Sequence, residues 1–430
     1  MQWTKTALPV IAATVMAGGL VVLPAVTQAA APPVTLTIST WDSGTGLDAY
    51  KEGIAAFEKE YPNVRVNIES VSSTYYQSKL LTQLASGAGP DLMLVGDSQA
   101  HEFVSSGQLL NLNPVLSQYH INPSHFVKAV WDFGIFGGKQ YFITKDWADE
   151  AVLYNKTMFT KAHIPFPKAG WTWQQFAADA KKLTLTNSKG VTTQYGAELP
   201  GTWLRAGLEA FAGAWGGRVI SPNGKTVNGY LNSPKTEAAI KFYLDLYNID
   251  HISPTPTQMA SYGSINLFET GRVAMEPDGP WSVSQYDAKP GFHFGVAPMP
   301  LGPTGKPYTM AFWAGWAINK NTAHVTQAKE LLAFLASPKW AQIDAHWAMP
   351  ALKNAAAEKT FEHTPYQKAF IAVENTALPL EVKAPVNWSQ DVETPLVNMI
   401  ESATLKPKTN ITKLIGQTVT KIDGLLSQQG

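Results

Sequence analysis

The segment from residue 36 to residue 95 constrains the fold most, because its pattern is that of a complete β-α-β-α-β unit. Apolar residues alternate in the strand segments and recur at helical spacing between them. Such a unit builds an open α/β sheet, which binds ligands outside the carboxyl ends of its strands. Trp41, Asp42 and Asp97 follow the first and third strands, so we predict ligand contacts there. The predicted elements are strand 34–39, helix 47–61, strand 64–68, helix 80–84 and strand 91–95.

Residues 1–30 are predicted to be a cleaved signal peptide. Lys5 precedes a largely apolar run, and small residues at 27–31 offer a cleavage site. A membrane anchor is the alternative, but prolines and glycines interrupt the run. No later stretch is long and apolar enough to span a bilayer, so we expect the mature chain to be secreted into the periplasm or the extracellular space.

Charge and motif content exclude several classes of function. The chain has 33 basic and 33 acidic residues, so no net charge is available to hold nucleic acid. It contains no cysteine, which excludes disulfides, zinc-thiolate sites and lipidation of a cysteine. The histidines are dispersed, and no nucleotide-binding or hydrolase motif occurs. We therefore expect no catalytic residues, no metal, no cofactor and no nucleic-acid partner.

Five motifs connect the chain to a known family. In chain order they read AFEKEYPNVRV, ASGAGPDLMLV, TKDWADEAVLYNKTMF, FETGRVAMEPDGPWSV and MAFWAGWAINKNT. Together they resemble the family 1 extracellular solute-binding proteins of sugar ABC transporters, among them the maltose- and oligosaccharide-binding proteins. The resemblance implies an α/β, two-lobe, periplasmic-binding-protein-like fold. In that fold each lobe is an open sheet flanked by helices, and multiple hinge crossings join the lobes.

About 400 mature residues exceed one comfortable hydrophobic core, so two domains are expected in any case. By the resemblance, residues 34–146 with 311–350 form the N-terminal lobe. Residues 147–310 with 351–430 form the C-terminal lobe. The crossings are expected near 142–150, 302–310 and Met349–Pro350. The clearest patterns in the C-terminal lobe predict helices 173–183 and 235–247 and a strand at 292–296.

Sugar recognition requires aromatic rings for the apolar faces of pyranoses and carboxylates or amides for their hydroxyls. Such pairs recur at predicted loops, for example Asp146–Trp147 and Asn387–Trp388. Gly279-Pro280-Trp281 matches the family's GPW motif, whose tryptophan, by the resemblance, stacks on sugar. The predicted ligand-binding residues are Trp41, Asp42, Asp97, Asp146, Trp147, Trp215, Trp281, Trp313, Gly315 and Trp388.

Structural alternatives stay open for several of these residues. Trp41 also fits a tryptophan that covers the end of the sheet, with Asp42 capping the helix that follows. Asp97 fits the N-cap of the helix after the third strand. Trp215 and Trp388 fit core packing about equally well. The neighbouring pair Asp149–Glu150 is expected to be solvated, as charged loop residues usually are.

The predicted function is that of the extracytoplasmic substrate-binding component of an ABC importer, which binds a di- or oligosaccharide between its lobes. The expected partners are a neutral saccharide and the transmembrane subunits of the permease, and the chain is expected to be monomeric. A secreted carbohydrate-active enzyme is one alternative, but it needs two carboxylates about 5–10 Å apart across a scissile bond. A binding protein for iron, a polyamine or another non-sugar solute is the other alternative.

Overall fold

The computed structural model describes residues 33–44, 46–200, 205–263, 265–363, 366–371, 377–378 and 385–429. The predicted signal peptide, residues 1–30, lies outside them. The strands are β1 Val34–Thr40, β2 Val64–Ser70, β3 Leu92–Gly96, β4 Ile135–Phe136, β5 Lys139–Gln140, β6 Ile143–Ala148, β7 Ala151–Asn155, β8 Leu185–Thr186, β9 Thr192–Gln194, β10 Met275–Asp278, β11 Phe294–Ala297, β12 Thr309–Met310, β13 Phe312–Ile318, β14 Met349–Pro350 and β15 Ala377–Leu378. The helices are α1 Gly46–Glu60, α2 Ser73–Ala85, α3 Ala100–Ser105, α4 Asn113–Gln118, α5 Lys128–Asp132, α6 Lys156–Lys161, α7 Trp173–Leu183, α8 Ala210–Ala214, α9 Pro234–Asn248, α10 Pro256–Tyr262, α11 Val283–Asp287, α12 Val325–Leu335, α13 Pro338–Asp344, α14 Ala355–His363, α15 Lys368–Ile371, α16 Thr394–Leu405 and α17 Ile411–Leu426.

The predicted β-α-β-α-β unit forms, and its strands join a six-stranded sheet in the order β14-β6-β13-β3-β1-β2. Strands β2, β1 and β3 are parallel, and Ile38 of β1 lies opposite Ile68 and Leu92. Strand β13 is antiparallel to both β3 and β6, so β6 runs in the same direction as β1 and β3. The carboxyl ends of β1, β3 and β6 therefore lie beside the amino ends of β13 and β14. We call this side of the sheet the site edge.

Helix α1 covers the first sheet because its apolar residues recur on one face. Tyr50, Ile54 and Phe57 are buried on that face. Gly53 allows close packing, since a Cβ there would overlap the ring of Trp340 in α13. The Tyr50 ring meets Trp340 edge-on, with ring centroids 5.7 Å apart. Each large apolar side chain removed from water in this way stabilises the fold by about 1.5–3 kcal/mol.

The second sheet has the order β10-β7-β11, with β7 antiparallel to both neighbours. Helix α7 begins with a capping box between Thr172 and Gln175. Helix α9 begins one residue before the predicted start at 235, with Ser233 at the N-cap and Pro234 in the first turn. The strand predicted at 292–296 starts later, at Phe294. These helices and the C-terminal helices α16 and α17 share a second hydrophobic core.

The chain passes between the two sheets at three places. Strand β6 ends at Ala148 and β7 begins at Ala151, so residues 149–150 form the first crossing. The second runs from the end of β11 through β12 to β13. The third lies after Phe361, which packs in the first core, and before Phe370, which packs near β7. Residues 351–361 thus pack with the first sheet, whereas the sequence analysis assigned them to the C-terminal lobe. The lobe boundaries themselves stay a prediction.

Candidate functional site

The loop after β1 holds Asp42 at the site edge through hydroxyl donors. Thr40 Oγ1 donates to Asp42 Oδ2 at 2.9 Å, and the Tyr50 hydroxyl donates to the same oxygen. Ser70 Oγ, at the end of β2, donates to the Asp42 carbonyl oxygen at 2.7 Å. Helix α1 begins only at Gly46, so Asp42 is too early in the chain to cap it. The first strand therefore presents a carboxylate whose position is set by three side chains.

A buried lysine lies beside Asp42. Lys145 of β6 contacts the carboxylates of Asp146 and Asp344, with 3.0 Å between its Nζ and Asp344 Oδ1. Burial alone would lower the pKa of Lys145, but Asp146, Asp344 and Asp42 together raise it above its ordinary value. Burial raises the pKa of Asp344 to about 7 and also raises the pKa of Asp146. The site edge thus contains one ammonium group surrounded by carboxyl groups.

Sequence reasoning found Asp42 and Asp146 but missed Lys145, Asp344 and Tyr50. Lys145 could have been identified from its position, because it precedes Asp146 directly in the chain. A lysine beside a predicted site carboxylate is the nearest group of opposite charge. Asp344 and Tyr50 sit in helices whose patterns indicate only packing. Nothing in the sequence shows that those helices bring a carboxyl and a hydroxyl to the same edge.

Asp97, at the end of β3, forms two hydrogen bonds with the backbone at the start of β13. Its Oδ2 accepts a hydrogen bond from the Trp313 amide at 3.3 Å, and its own amide donates to the Trp313 carbonyl at 3.2 Å. The N-cap of α3 is Gln99, so the alternative assignment of Asp97 as a helix cap is wrong. Asp97 instead sets the position of a predicted site tryptophan.

Aromatic rings accompany these carboxylates. Trp147 and Trp313 lie opposite each other in the β6–β13 pair. Trp313 also stacks on Phe133, with ring centroids 6.0 Å apart and an interplanar angle of 17°. Trp41 is half-buried and meets Tyr76 edge-on at 5.2 Å. Trp147 and Trp313 are 8% and 5% exposed and belong to the first hydrophobic core, so Trp41 is the most accessible of these three rings at the site edge.

Trp347 also lies at the site edge, and it was not predicted from the sequence. Trp347 is half-buried between α13 and β14, and its amide donates to the Asp344 carbonyl at 2.9 Å. Met349, two residues later, pairs with Trp147 across β14 and β6. The sequence placed a crossing near Met349–Pro350, and an aromatic residue so close to a predicted crossing was the signal that could have identified it.

Trp281 reaches the same region from the second sheet. Strand β10 ends at Asp278, opposite Ala151, which is the first residue of β7 after the crossing. The short helical turn Pro280–Ser282 follows directly. Trp281 is 39% exposed, and its ring meets Phe312 at the start of β13 edge-on at 6.1 Å. An accessible indole of the second sheet therefore stands against the site edge of the first.

Three predicted residues do not join this group. Trp388 is 2% exposed and lies within the second core, which corrects its assignment to the binding surface. Trp215 packs against the same core, with its ring 4.9 Å from that of Phe242. Gly315 lies inside β13, where a Cβ would stand 3.0 Å from the Phe142 Cβ. A glycine at that position serves the close approach of β13 and β6.

The expectation that Asp149 and Glu150 are solvated is wrong. Both residues are completely buried, because the loop that carries them is the crossing between the two hydrophobic cores. The Glu150 amide donates to Thr309 Oγ1 at 2.9 Å. This bond joins the first crossing to the second.

Comparison with known proteins identifies the class of this molecule. The profile of a family described as bacterial extracellular solute-binding protein matches residues 41–342, which is most of the chain. The chain belongs to this family. The solute-binding proteins of this family are not enzymes, in agreement with the sequence prediction.

Two individual proteins are similar in sequence to this solute-binding protein. It is 27% identical over 325 residues to a putative binding protein of Brucella abortus, covering 75% of this chain and 76% of the relative. It is also 27% identical over 297 residues to a maltooligosaccharide ABC transporter solute-binding lipoprotein of Streptococcus pneumoniae, covering 67% of this chain and 66% of the relative.

A solved structure confirms the predicted fold class. An ABC substrate-binding protein from Listeria monocytogenes, solved in complex with cycloalternan, matches with a TM-score of 0.81. The identity is 23%, and the match covers 92% of this chain and 99% of that one. The solute-binding protein thus has the mixed α/β fold of periplasmic binding proteins.

Proposed function

We propose that this solute-binding protein captures a di- or oligosaccharide between its two sheets and delivers it to the transmembrane subunits of an ABC importer. The observation that carries the proposal is the approach of Trp281 to Phe312 at the site edge, where the half-buried Trp41 and Asp42 also lie. The aromatic rings suit the apolar faces of a sugar, and the carboxylates suit its hydroxyls. The names of the Streptococcus relative and the Listeria complex both refer to saccharides.

We further propose that the protein works as a free monomer outside the cytoplasmic membrane, after removal of residues 1–30. The sequence has no cysteine, so no cysteine of this chain carries a lipid. Within the described ranges, no helix combines the length and the apolarity needed to cross a bilayer.

Isothermal titration against maltose-, sucrose-, xylose- and galactose-type oligosaccharides tests the proposal. We expect at least one series to bind with micromolar or tighter affinity, about −8 kcal/mol or better, with no release of shorter sugars. Absence of heat with every sugar would refute the proposal. Steady release of shorter sugars would favour the carbohydrate-active enzyme instead. Bound iron, or binding of polyamines alone, would favour a non-sugar solute.

Replacing Trp281 with alanine should weaken saccharide binding by roughly 1–3 kcal/mol, because a stacked aromatic face is lost. The melting temperature without ligand should stay nearly unchanged, since the indole is already partly in water. Phe166→Ala is the matched control, because Phe166 is an equally accessible aromatic (41% exposed) that lies between α6 and α7 and contacts Tyr154 of β7. A large loss of stability with unchanged affinity would show that Trp281 is a packing residue.

Ligand binding should also compact the molecule. A saccharide that touches both sheets favours the conformation in which they approach each other. Small-angle scattering is expected to give a smaller radius of gyration at saturating ligand than without ligand. An identical profile in both states would exclude domain closure while leaving binding itself intact.

A further inference from the structure

Two neighbouring tyrosines in the first turn of α2 have opposite environments. Tyr76 is 1% exposed, and its hydroxyl donates to the Ser39 carbonyl at 2.9 Å and to the Leu94 carbonyl at 2.8 Å. Tyr75 is 67% exposed, and within the described ranges its side chain makes no hydrogen bond and contacts no other ring. Tyr76 thus fixes the first turn of α2 against β1 and β3, while the ring of Tyr75 is left in water.

The topology of the first sheet places Tyr75 at the site edge. Strand β2 is parallel to β1, so its last residue, Ser70, lies on the same side of the sheet as the end of β1. Helix α2 begins soon afterwards, at Ser73, and Tyr75 is in its first turn. Ser70 Oγ also donates to the Asp42 carbonyl oxygen. The loop that leads to Tyr75 is therefore joined to the loop that carries Trp41.

Trp41 occupies the part of the site edge next to this tyrosine. Its ring meets Tyr76 edge-on at 5.2 Å, and a Cβ at Gly96, the last residue of β3, would stand 3.5 Å from the same indole. The half-buried ring of Trp41 therefore lies across the ends of β1 and β3. Tyr75 is the next accessible ring along the edge, since β2 is the outermost strand on that side.

Accessible aromatic rings are spread along the whole site edge. In the strand order β14-β6-β13-β3-β1-β2, Trp347 comes just before β14, and Trp281 meets β13 at Phe312. Trp41 lies at β3 and β1, and Tyr75 follows β2. Neighbouring strands are about 4.8 Å apart, so the five spacings from β14 to β2 span about 24 Å. A pyranose ring is little wider than one strand spacing, so a disaccharide covers only part of this length.

A single exposed aromatic on a protein surface needs no special explanation. The exposure of Tyr75 is informative because of where it occurs. The three most exposed aromatic side chains among the described residues are Tyr75, Trp281 and Phe166, and the first two lie at the site edge or against it. The ring of Tyr75 also stands on a helix that Tyr76 anchors, so a ligand need not order the backbone before stacking on it. Position, exposure and a rigid support together indicate a surface for a sugar ring.

We propose that Tyr75 is the outermost sugar platform of the site, and that the preferred ligand is an oligosaccharide longer than a disaccharide that lies along the site edge. The inference rests on the proposed saccharide function and narrows it. Inner sugar rings lie near Trp281 and Trp41, and only a longer chain extends over Tyr75. Tyr75 therefore determines how strongly the protein prefers long chains over short ones.

Isothermal titration with sugars of increasing length tests the inference. The series runs from the disaccharide to the hexasaccharide of the neutral sugar type that binds in the titrations above. We expect the affinity to increase at least tenfold beyond the disaccharide, because additional rings cover apolar aromatic surface. Equal affinity at every length, with the disaccharide already bound tightly, would overturn the inference and leave the saccharide function standing. Absence of heat with every sugar at every length would refute the saccharide function itself.

Variants of Tyr75 connect the length preference to this residue. Tyr75→Ala should weaken binding of the longest ligand about tenfold and that of the disaccharide less than about twofold. Tyr75→Phe should keep the wild-type length preference, because stacking requires the ring and not the hydroxyl. Phe166→Ala, which removes an exposed aromatic elsewhere, should also keep it.

Melting temperatures without ligand should match that of the wild type in all three variants, since each altered side chain is largely in water. An unchanged length preference in Tyr75→Ala would overturn the inference. So would an equal loss of affinity for the disaccharide and the hexasaccharide, because Tyr75 would then contact the inner rings.

Discussion

Replacing Lys145 with methionine is expected to destabilise the protein by about 3–5 kcal/mol, the cost of removing one partner from a buried ion pair. Lys145 and Asp344 are almost completely buried, and the lysine also contacts Asp146. Methionine fills a similar volume but leaves these carboxyl groups without their cation. Chemical denaturation monitored by tryptophan fluorescence gives the change in the free energy of unfolding.

Lys128→Met is the matched control for this experiment. Lys128 also pairs with an aspartate, Asp132, but the two side chains are 83% and 48% exposed. Water already solvates both charges there, so the loss should remain below about 1 kcal/mol. Adding Asp344→Asn to Lys145→Met should recover part of the lost stability. Equal destabilisation by the two lysine variants would contradict the assigned role of the buried cluster.

The ligand-free protein should become less stable as the pH rises from 5 to 8. Burial raises the folded-state pKa of Asp344 and Glu198 to about 7 and of Asp278 to about 6. Because these values exceed those of the unfolded chain, the folded state binds protons more tightly. The stability that the folded state gains from this tighter proton binding is fully present below about pH 4, and it is lost as the pH rises through 6 and 7. We expect the melting temperature to fall by roughly 5–10 °C over this interval.

Scanning calorimetry at several pH values, at constant ionic strength, measures this dependence. Asp344→Asn should flatten the curve by removing one of the contributing groups, whereas Asp132→Asn, at the exposed Lys128 pair, should leave its slope unchanged. A melting temperature that rises steadily from pH 5 to pH 8 would show that these carboxyls are ionised in the folded protein throughout the range.

Local sequence patterns predicted the first strands and helices correctly, because each pattern depends only on residues that are close together in the chain. The alternation in β1 and the apolar spacing in α1 are properties of short segments, and both elements form as predicted. Trp41 and Asp42 likewise follow that strand, as the sequence predicted, while their contact with a ligand stays a prediction. The family resemblance added Trp281 as a predicted partner of that edge, through its Gly-Pro-Trp motif.

Burial and distant pairing could not be predicted in the same way. Trp388 follows an asparagine in an apparent loop, and only the packing of α16 and α17 shows that it is a core residue. Glu150 has the surroundings of a solvated charge in the sequence but lies between two cores. Lys145 and Asp344 meet only because α13 packs beside β6, and neither sequence neighbourhood specifies that contact.

The hydrogen bond between the Glu150 amide and Thr309 Oγ1 has a mechanical consequence. It ties together two chain segments that run between the sheets, so those segments cannot shift independently without breaking it. We therefore expect a ligand-driven movement of one sheet relative to the other to be mainly a rotation about a line through the paired segments. Ligands of different length would then change how far the molecule turns, while the direction of turning, and with it the surface offered to the transporter, stays the same.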